Sequence, residues 1–200
     1  MKTVLYLMRH GTTTGEQGVW TPHPNPALQE GREHGRVASL QLHNLPLAPL
    51  GVRQAEATRD FLAIRPIDQC YCSPLLRAVQ TAAIVAAPHG LTPQPLQDLA
   101  EYHLVEPGTQ ACRRESLADR YGRVAACLEA LLKKHAGEAL LVVAHRLVNQ
   151  IYLAGLLGLP GDQALQVNLD NCGISVVVRE GQDTMVSTLN AAFHLQGVAA

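Results

Sequence analysis

The fold is decided by the stretch ALLVVAHR, residues 139–146, which joins a continuous apolar run to a His-Arg pair. An uninterrupted apolar run of this length is typical of a central strand in a parallel sheet, because such a strand is buried on both faces. A similar junction stands near the start of the chain, where the run from Thr3 to Met8 is followed by Arg9-His10-Gly11. We therefore predict two buried strands, each ending in one histidine and one arginine.

Helices and strands alternate through the rest of the chain. The segment GVRQAEATRDFLA, beginning at Gly51, has apolar residues at helical spacing, and Ser73-Pro74 resembles an N-cap followed by proline in the first helical turn. Helices are predicted over residues 51–64, 73–87, 115–135 and 147–157, and further strands over 69–72, 95–96, 174–179 and 185–189. This alternation predicts an α/β fold, a three-layer α/β/α sandwich with a mostly parallel sheet.

The longest predicted helix, residues 115–135, has an amphipathic pattern. Its expected buried face carries Leu117, Tyr121, Val124, Leu128 and Leu131. Lysines, a histidine and Gly137 mark its end, as is common at the C-termini of helices.

The chain has 200 residues, of which 47% are hydrophobic and 16% charged. This length and composition suit one compact domain over residues 1–200. Residues 12–46 are rich in Gly, Pro, Asn and His with weak periodicity, so we expect a long loop or lid insertion there, with a short helix near residues 31–42.

Charge and targeting signals narrow the class of protein. The formal net charge of -1 provides no global field that would recruit nucleic acid or an anionic membrane. The apolar run before Arg9 is too short for a signal peptide or a membrane span, so we expect a cytoplasmic protein. The oligomeric state stays open, and a homodimer is compatible with the sequence.

The five cysteines do not predict a disulfide framework or a zinc site, because their number is odd and no CxxC spacing occurs. Cys70 and Cys72 share one face of a predicted strand, where a redox pair is conceivable. We favour the interpretation that these thiols are buried or have no chemical role.

The chemistry-bearing residues converge on one edge of the predicted sheet. Ligands of parallel α/β sheets bind outside the carboxyl ends of the strands. Arg9 and His10 follow the first strand, Ser73 and Arg77 follow the second, and His145-Arg146 follows the 139–144 run. Arginines, histidines and the amides of two helix N-termini together suit a phosphoryl group. Each residue alone has an ordinary structural explanation, but their common placement favours a functional site.

Five segments carry a resemblance to a known family: LMRHG, LAPLGVRQA, CSPLLRAVQTA, LAEY and VVAHRLVNQIYLAGLLGLP. They resemble successive motifs of the histidine phosphatase superfamily, also called the phosphoglycerate mutase-like family. The NCGIS segment from Asn171, Leu189-Asn190 and His194-Leu195 resemble its closing segments, so nearly the whole chain is covered.

The resemblance implies that His10 accepts the phosphoryl group and that Arg9, Arg77 and His145 surround the phosphoryl oxygens. It also implies that Glu101 is the general acid that protonates the leaving group. Asp98 and Glu106 are alternatives for that acid because they are close in sequence. Arginines supply the positive charge that phosphoryl transfer needs, so no metal or cofactor is expected.

Three departures from the family pattern leave the substrate open. Thr12-Thr13 follows the RHG motif where Glu or Gln and then Thr is common, and Thr13 is an expected substrate contact. Glu16 stands where the family often has an Asn, six residues after the histidine of the RHG motif. Gln17 is the alternative residue for the role of that Asn. Arg146 replaces the glycine usual after the second histidine and is a further expected contact with the substrate.

Three functions are compatible with these residues. The leading hypothesis is a metal-independent phosphatase acting on a small phosphorylated metabolite through phosphohistidine. A cofactor-dependent phosphoglycerate mutase is the enzymatic alternative, but the short span between Glu101 and His145 favours hydrolysis, since the mutases of the family carry a long insertion there. The third is a catalytically silent phosphate-binding protein on the same fold, which the retention of all five expected catalytic residues disfavours.

Overall fold

The computed structural model of the protein describes residues 1–14, 44–101, 115–160 and 163–198. A six-stranded sheet forms its centre. The strands are β1 (Lys2–Arg9), β2 (Gln69–Cys72), β3 (Gln94–Pro95), β4 (Ala139–Ala144), β5 (Ile174–Glu180) and β6 (Asp183–Ala191). The α-helices are α1 (Pro49–Leu62), α2 (Leu76–Ala86), α3 (Leu117–Lys134) and α4 (Arg146–Leu156). Short 3-10 turns lie at Ala87–His89, Gln97–Leu99, Gln163–Gln166 and Phe193–Leu195.

The strand order is β3-β2-β4-β1-β5-β6. Strand β4 pairs in parallel with both β1 and β2, and β3 pairs in parallel with β2. Strand β5 is antiparallel to β1 and to β6, so it alone runs against the other strands of this sheet. The predicted mostly parallel sheet is therefore confirmed, with an antiparallel hairpin added at one edge.

Helices cover both faces of the sheet, which confirms the three-layer α/β/α arrangement. Side chains alternate along β1, so that Leu5 and Leu7 pack into the core beneath α3 and α4, whereas Tyr6 and Met8 pack beneath α1 and α2. Strand β4 is buried along its whole length, as its unbroken apolar sequence predicts.

Within the described residues, the predicted strands and helices agree with the observed ones except at the start of α2. That helix begins at Leu76 with Leu75 at the N-cap position, so the prediction that Ser73 is the N-cap was wrong. The Ser73 hydroxyl is turned into the interior, where it accepts a hydrogen bond from the Leu75 amide at 3.3 Å and contacts a histidine. Pro74 therefore precedes the helix instead of opening it.

The buried face of α3 also differs from the predicted one. Val124, Leu128 and Leu131 are buried as expected, but Leu117 and Tyr121 are 39% and 41% exposed. Arg120 takes the next buried position toward the N-terminus of the helix, in line with Val124 and Leu128. The apolar stripe thus ends in a buried arginine.

The short helix predicted near residues 31–42 and most of the loop predicted over residues 12–46 lie outside the described residues. The single-domain organisation over residues 1–200 stays a prediction. In the described part of the chain, no helix combines the length and apolarity needed to cross a membrane. The expected cytoplasmic location is not tested by this finding.

Two glycines let the turn after β1 pack against the start of α1. A Cβ atom on Gly51 would lie 2.0 Å from the carbonyl oxygen of Thr12, and one on Gly11 would lie 2.6 Å from the carbonyl oxygen of Gly51. The Thr12 carbonyl also accepts a hydrogen bond from the Ala48 amide at 2.9 Å. This contact fixes the backbone directly after the Arg-His pair.

We predict that Gly51→Ala destabilises the protein by about 1–3 kcal/mol, because the added methyl group meets backbone that cannot move aside without shifting the turn. Gly122→Ala is the matched control: Gly122 lies exposed within α3 with open space around it. That substitution should instead stabilise the helix by about 1 kcal/mol. Urea unfolding of both variants checks the contrast, and equal free energies of unfolding would contradict the close packing at Gly51.

Candidate active site

His10 stands at the carboxyl end of β1 with its side chain buried. Its backbone amide donates to the Ala144 carbonyl at the end of β4, at 3.1 Å. The ring nitrogen Nδ1 lies 2.8 Å from the carbonyl oxygen of Gly11. A carbonyl can only accept, so Nδ1 carries the proton and Nε2 of the neutral ring presents a lone pair. The backbone thereby fixes the tautomer that a nucleophilic histidine needs.

Arg77, in the first turn of α2, reaches the same nitrogen. Its Nε donates to His10 Nε2 at 3.2 Å, and the Arg77 side chain is buried beside the ring. The Thr81 hydroxyl ties the two segments together, since it donates to the Arg77 carbonyl at 2.7 Å and accepts from the Gly11 amide at 3.1 Å. A cationic group therefore donates directly to the lone pair of His10 Nε2.

His145 occupies the N-cap position of α4 and is completely buried. Its ring stands nearly edge-on to that of His10, with 5.2 Å between centroids. Nε2 of His145 forms a 2.7 Å hydrogen bond with the Ser73 hydroxyl, whereas Nδ1 lies 3.5 Å from Oε2 of Glu101. Nδ1 makes no hydrogen bond within the described part of the chain, so it faces the site with its hydrogen-bonding capacity unused.

Burial controls the protonation of Glu101 and His145. It raises the pKa of the Glu101 carboxyl above 4.5, against the opposing attraction of Arg77, Arg120 and Arg9. Burial also lowers the pKa of His145 well below 6.5, and the positive charges of Arg77 and Arg9 lower it further. The short distance between the two side chains would suit an ion pair, but both shifts favour the neutral forms. Burial therefore opposes an ion pair between Glu101 and His145.

Arg9 and the segment after residue 167 complete the region around His10. Arg9 donates to the Leu169 carbonyl at 2.9 Å, and its own carbonyl accepts from the Cys172 amide at 3.0 Å. The Asn171 side-chain amide donates to the His10 carbonyl at 3.1 Å. The His10 backbone and that of Arg9 are thus held by the end of β4 and by this loop.

Glu101 follows the 3-10 turn at Gln97–Leu99 and lies against the first turn of α4, where the Leu147 amide hydrogen-bonds its carboxyl. Arg123 of α3 anchors this segment by donating to the carbonyls of Asp98 and Ala100. Arg123 in turn holds Glu115 through Nε and NH2, both at 2.7 Å. Helix α3 therefore sets the position of Glu101 relative to the two histidines.

The structure brings together the five residues expected to be catalytic: Arg9, His10, Arg77, Glu101 and His145. The other expected contacts are less central. Thr13 is buried where its backbone pairs with Leu47, and Arg146 is exposed at the first position of α4. Asp98, an alternative acid, is exposed. Glu16, Gln17 and Glu106 lie outside the described residues.

Four residues in or next to the site have contacts that the sequence analysis did not predict. Ser73 was expected at this edge of the sheet as a helix cap and not as a partner of His145, and Asn171 was assigned only to a closing motif. Glu115 and Arg120 gave no such signal, because the predicted apolar stripe of α3 runs through Leu117 and Tyr121 and does not include Arg120. Their pairing matters because Arg120 is buried, which only the tertiary structure shows.

The described residues include no group of three or more His, Cys, Asp or Glu side chains arranged to hold a metal ion. Cys70, Cys72, Cys127 and Cys172 are free thiols. Burial raises the pKa of Cys70 to about 12 and that of Cys72 to about 11, which keeps both thiols protonated and unreactive. The interpretation that these two thiols are buried and have no chemical role agrees with their burial.

Opposite pKa shifts at Glu101 and His145 predict a cancellation in the pH dependence of stability. Folded His145 excludes a proton that the unfolded chain binds below pH 6.5, so its contribution to stability falls as the pH falls through 6.5. Folded Glu101 keeps a proton that the unfolded chain releases above pH 4.5, so its contribution falls as the pH rises from 4.5 toward the raised folded value. The two trends oppose each other.

We therefore expect each single variant to reveal the trend of the other residue. Between pH 4.5 and 6.5, the stability of Glu101→Gln should rise more steeply with pH than that of the wild type, and the stability of His145→Gln should rise less steeply or fall. The difference in slope is at most about 1.4 kcal/mol per pH unit for each group. Urea unfolding across this range measures it. Asp98→Asn removes an exposed carboxyl as the control, and equal slopes in all four proteins would contradict the assigned shifts.

Comparisons with known proteins agree with this geometry. Among curated proteins, 2-carboxy-D-arabinitol-1-phosphatase of Triticum aestivum is 31% identical over 157 residues, covering 66% of this chain but only 31% of the wheat protein. A probable phosphoglycerate mutase, GpmB, of Yersinia pestis is 29% identical over 197 residues, covering 86% of this chain and 83% of that protein.

A solved structure shares the fold over nearly the whole chain. Phosphoserine phosphatase of Entamoeba histolytica, in complex with 3-phosphoglyceric acid, superimposes with a TM-score of 0.74 at 21% identity, covering 96% of this chain and 99% of that one. The model of the histidine phosphatase superfamily (branch 1) matches residues 5–107 and 105–192. With its motif residues gathered at the carboxyl edge of a phosphoglycerate mutase-like sheet, the chain belongs to the histidine phosphatase superfamily.

Proposed function

We propose that this protein is a metal-independent phosphatase that hydrolyses a small phosphorylated metabolite through a phosphohistidine on His10. The observation that carries the proposal is the fixed tautomer of His10, whose Nδ1 donates to the Gly11 carbonyl and whose Nε2 presents a lone pair beside Arg77. An imidazole nitrogen without a proton is a competent nucleophile, and the adjacent guanidinium attracts the phosphoryl oxygens.

In the first step, His10 Nε2 attacks phosphorus and the bond between phosphorus and the ester oxygen breaks. The transferring group carries negative charge on its equatorial oxygens, which Arg9, Arg77 and His145 would stabilise. These groups supply positive charge and hydrogen bonds without a metal. The leaving alkoxide takes its proton from Glu101, whose raised pKa favours the protonated form needed for that role.

In the second step, water attacks phosphorus and the bond to Nε2 breaks. The Glu101 carboxylate, left charged by the first step, takes a proton from the attacking water. Inorganic phosphate leaves, His10 returns to its neutral tautomer, and Glu101 is again protonated. The cycle balances with one water consumed for each ester hydrolysed.

The relatives support a phosphatase or a closely related transferase. The wheat relative is named for the hydrolysis of a phosphorylated sugar acid, and the Yersinia relative is named a probable phosphoglycerate mutase. A mutase would hold the phosphoryl group on His10 and return it to an acceptor hydroxyl instead of water. This second candidate predicts that activity requires a bisphosphoglycerate, whereas the phosphatase releases phosphate from a monoester alone, including in the presence of EDTA.

We predict that His10→Ala abolishes both the phosphoenzyme and turnover, because His10 is the residue whose ring nitrogen presents a lone pair beside Arg77. Wild-type protein incubated with a labelled substrate should carry an acid-labile, base-stable label, and the variant should carry none. His89→Ala is the matched control, since His89 lies in the 3-10 turn after α2, at the opposite edge of the sheet. Wild-type turnover by His10→Ala would overturn the proposed function.

We predict that the defect of Glu101→Gln depends on the leaving group. A poorly acidic alcohol needs the proton that Glu101 supplies, whereas a phenoxide departs unaided, so turnover of an alkyl phosphate should fall much more than turnover of an aryl phosphate. Typical general-acid contributions are about 100- to 10,000-fold. Steady-state kinetics on one alkyl and one aryl phosphate measure the difference.

Asp98→Asn and Glu106→Gln serve as comparisons for this assignment. Asp98 is exposed, and its variant should leave the ratio of the two rates unchanged. Equal losses on both substrates would remove Glu101 from the acid role. An alkyl-specific loss in Glu106→Gln would move the role to Glu106.

A further inference from the structure

The Ser73 hydroxyl is a buried polar group that has no part in the catalytic cycle described above. Ser73 follows β2 and is completely buried, and its amide donates to the Val143 carbonyl of β4 at 2.9 Å. His145 is the first residue after β4. The backbone of β4 therefore fixes both residues, and Ser73 Oγ lies 2.7 Å from His145 Nε2. Which of these two atoms donates the proton follows from the other partners of the hydroxyl.

The hydroxyl proton of Ser73 has one acceptor in the described part of the chain. The Leu75 amide donates to Ser73 Oγ at 3.3 Å, so that contact uses a lone pair of the oxygen and not its proton. The other partner of Oγ there is His145 Nε2. A buried hydroxyl rarely goes without an acceptor, because water cannot replace the missing partner. Ser73 therefore donates to Nε2, and Nε2 carries no proton.

The opposite direction would leave two buried groups unsatisfied among the described residues. If Nε2 donated to Ser73, the serine proton would have no acceptor and the bare Nδ1 of His145 would have no donor. With Ser73 as the donor, that count falls to one group, the proton on Nδ1. Burial keeps the pKa of His145 well below 6.5, so the ring is neutral near pH 7 and carries a single proton.

The two histidines then present opposite groups to the site. His10 Nδ1 donates to the Gly11 carbonyl, so its Nε2 offers a lone pair. His145 accepts at Nε2, so its Nδ1 offers an N–H on the side of the ring that faces Glu101. A lone pair suits the attacking nitrogen, whereas an N–H suits the oxygens of the transferring phosphoryl group. A carbonyl beside one ring and a hydroxyl beside the other thus give two histidines different roles.

Resting on the proposed phosphatase function, we propose that Ser73 is a positioning residue for phosphoryl transfer, because its hydroxyl holds His145 in the tautomer with the proton on Nδ1. A bare Nδ1 would bring a lone pair against the phosphoryl oxygens, and the two would repel each other. The tautomer that Ser73 selects replaces this repulsion with a hydrogen-bond donor that is in place before the substrate binds. Ser73 acts on the reaction through His145.

The tautomer can be measured on the wild-type protein without any substrate. In a neutral imidazole, the nitrogen that carries the proton and the nitrogen that does not have well-separated ¹⁵N chemical shifts. In protein labelled with ¹⁵N-histidine, the His145 signals are assigned by their loss in His145→Gln, and they should show a protonated Nδ1 and a bare Nε2. In Ser73→Ala the preference for Nδ1 should weaken or reverse. A proton on Nε2 in the wild-type protein would overturn the proposal.

The kinetic consequence is tested with substitutions of Ser73. Ser73→Ala should lower kcat/KM for an aryl phosphate by about 10- to 100-fold, as is typical for groups that orient a functional histidine. Ser73→Thr keeps the hydroxyl and should stay within a few-fold of the wild type. Thr3→Val is the matched control for the loss of a buried hydroxyl, because Thr3 accepts from the Gly137 amide at 2.9 Å near the start of β1, at the other end of the strand. Wild-type activity in Ser73→Ala would contradict the role of Ser73.

A double-mutant cycle separates the positioning of His145 from a general structural role. When His145 is already replaced by glutamine, Ser73→Ala should change kcat/KM by no more than a few-fold, because the contact that it removes is already lost. An equal loss from Ser73→Ala in both backgrounds would show that Ser73 acts independently of His145 and would overturn the proposal. If Ser73→Thr does not fold, this cycle replaces it as the comparison.

Failure of this inference is distinguishable from failure of the proposed function. Wild-type protein that hydrolyses no ester would reject the phosphatase, and with it any role of Ser73 in transfer, while the ¹⁵N shifts would still decide the tautomer of His145. Active wild-type protein with the His145 proton on Nε2 would reject the role of Ser73 and leave the phosphatase intact.

Discussion

The site depends on the parallel pairing of β1 with β4. This ladder sets Arg9 opposite Ala144, and the His10 amide continues it by donating to the Ala144 carbonyl. The residues that follow the two strands are therefore neighbours, and the two histidine rings meet with 5.2 Å between centroids. Because β2 pairs with the other edge of β4, Ser73 emerges at the same level and reaches His145. The relative positions of the site residues are thus set by backbone hydrogen bonds between the strands.

Burial gives the side chains at this edge their chemical state. The same low dielectric that raises the pKa of Glu101 lowers that of His145, so burial shifts an acid and a base 3.5 Å apart toward their neutral forms. The guanidinium groups stay charged in the same surroundings, because arginine does not lose its proton in proteins. Fixed cations thus lie beside a carboxyl whose pKa is raised, a combination suited to binding negative charge.

The sequence predicted the sheet, the helices and the gathering of five site residues, because those features follow from hydrophobic periodicity and from the edge at which parallel strands end. It did not predict the roles of Ser73 or Arg120, because both depend on tertiary contacts. Ser73 has the composition of a helix cap, yet the buried His145 competes for its hydroxyl. At the start of α3, Leu117 and Tyr121 follow the apolar pattern, but the stripe that meets the core continues through Arg120. Periodicity locates the buried face of a helix only to within about one residue per turn. Here the difference of one residue means that Arg120 is buried and Tyr121 is exposed.

The two halves of the site are held by different parts of the fold. Arg9, His10, Arg77 and His145 lie at strand ends and in the first turns of α2 and α4. Glu101 and Arg120 belong to the connection before α3 and to α3 itself, joined through Glu115 and Arg123. Substitutions on α3 can therefore move Glu101 without disturbing the contacts that set the tautomer of His10. A fold organised in this way can keep one phosphoryl-transfer chemistry while its substrate changes.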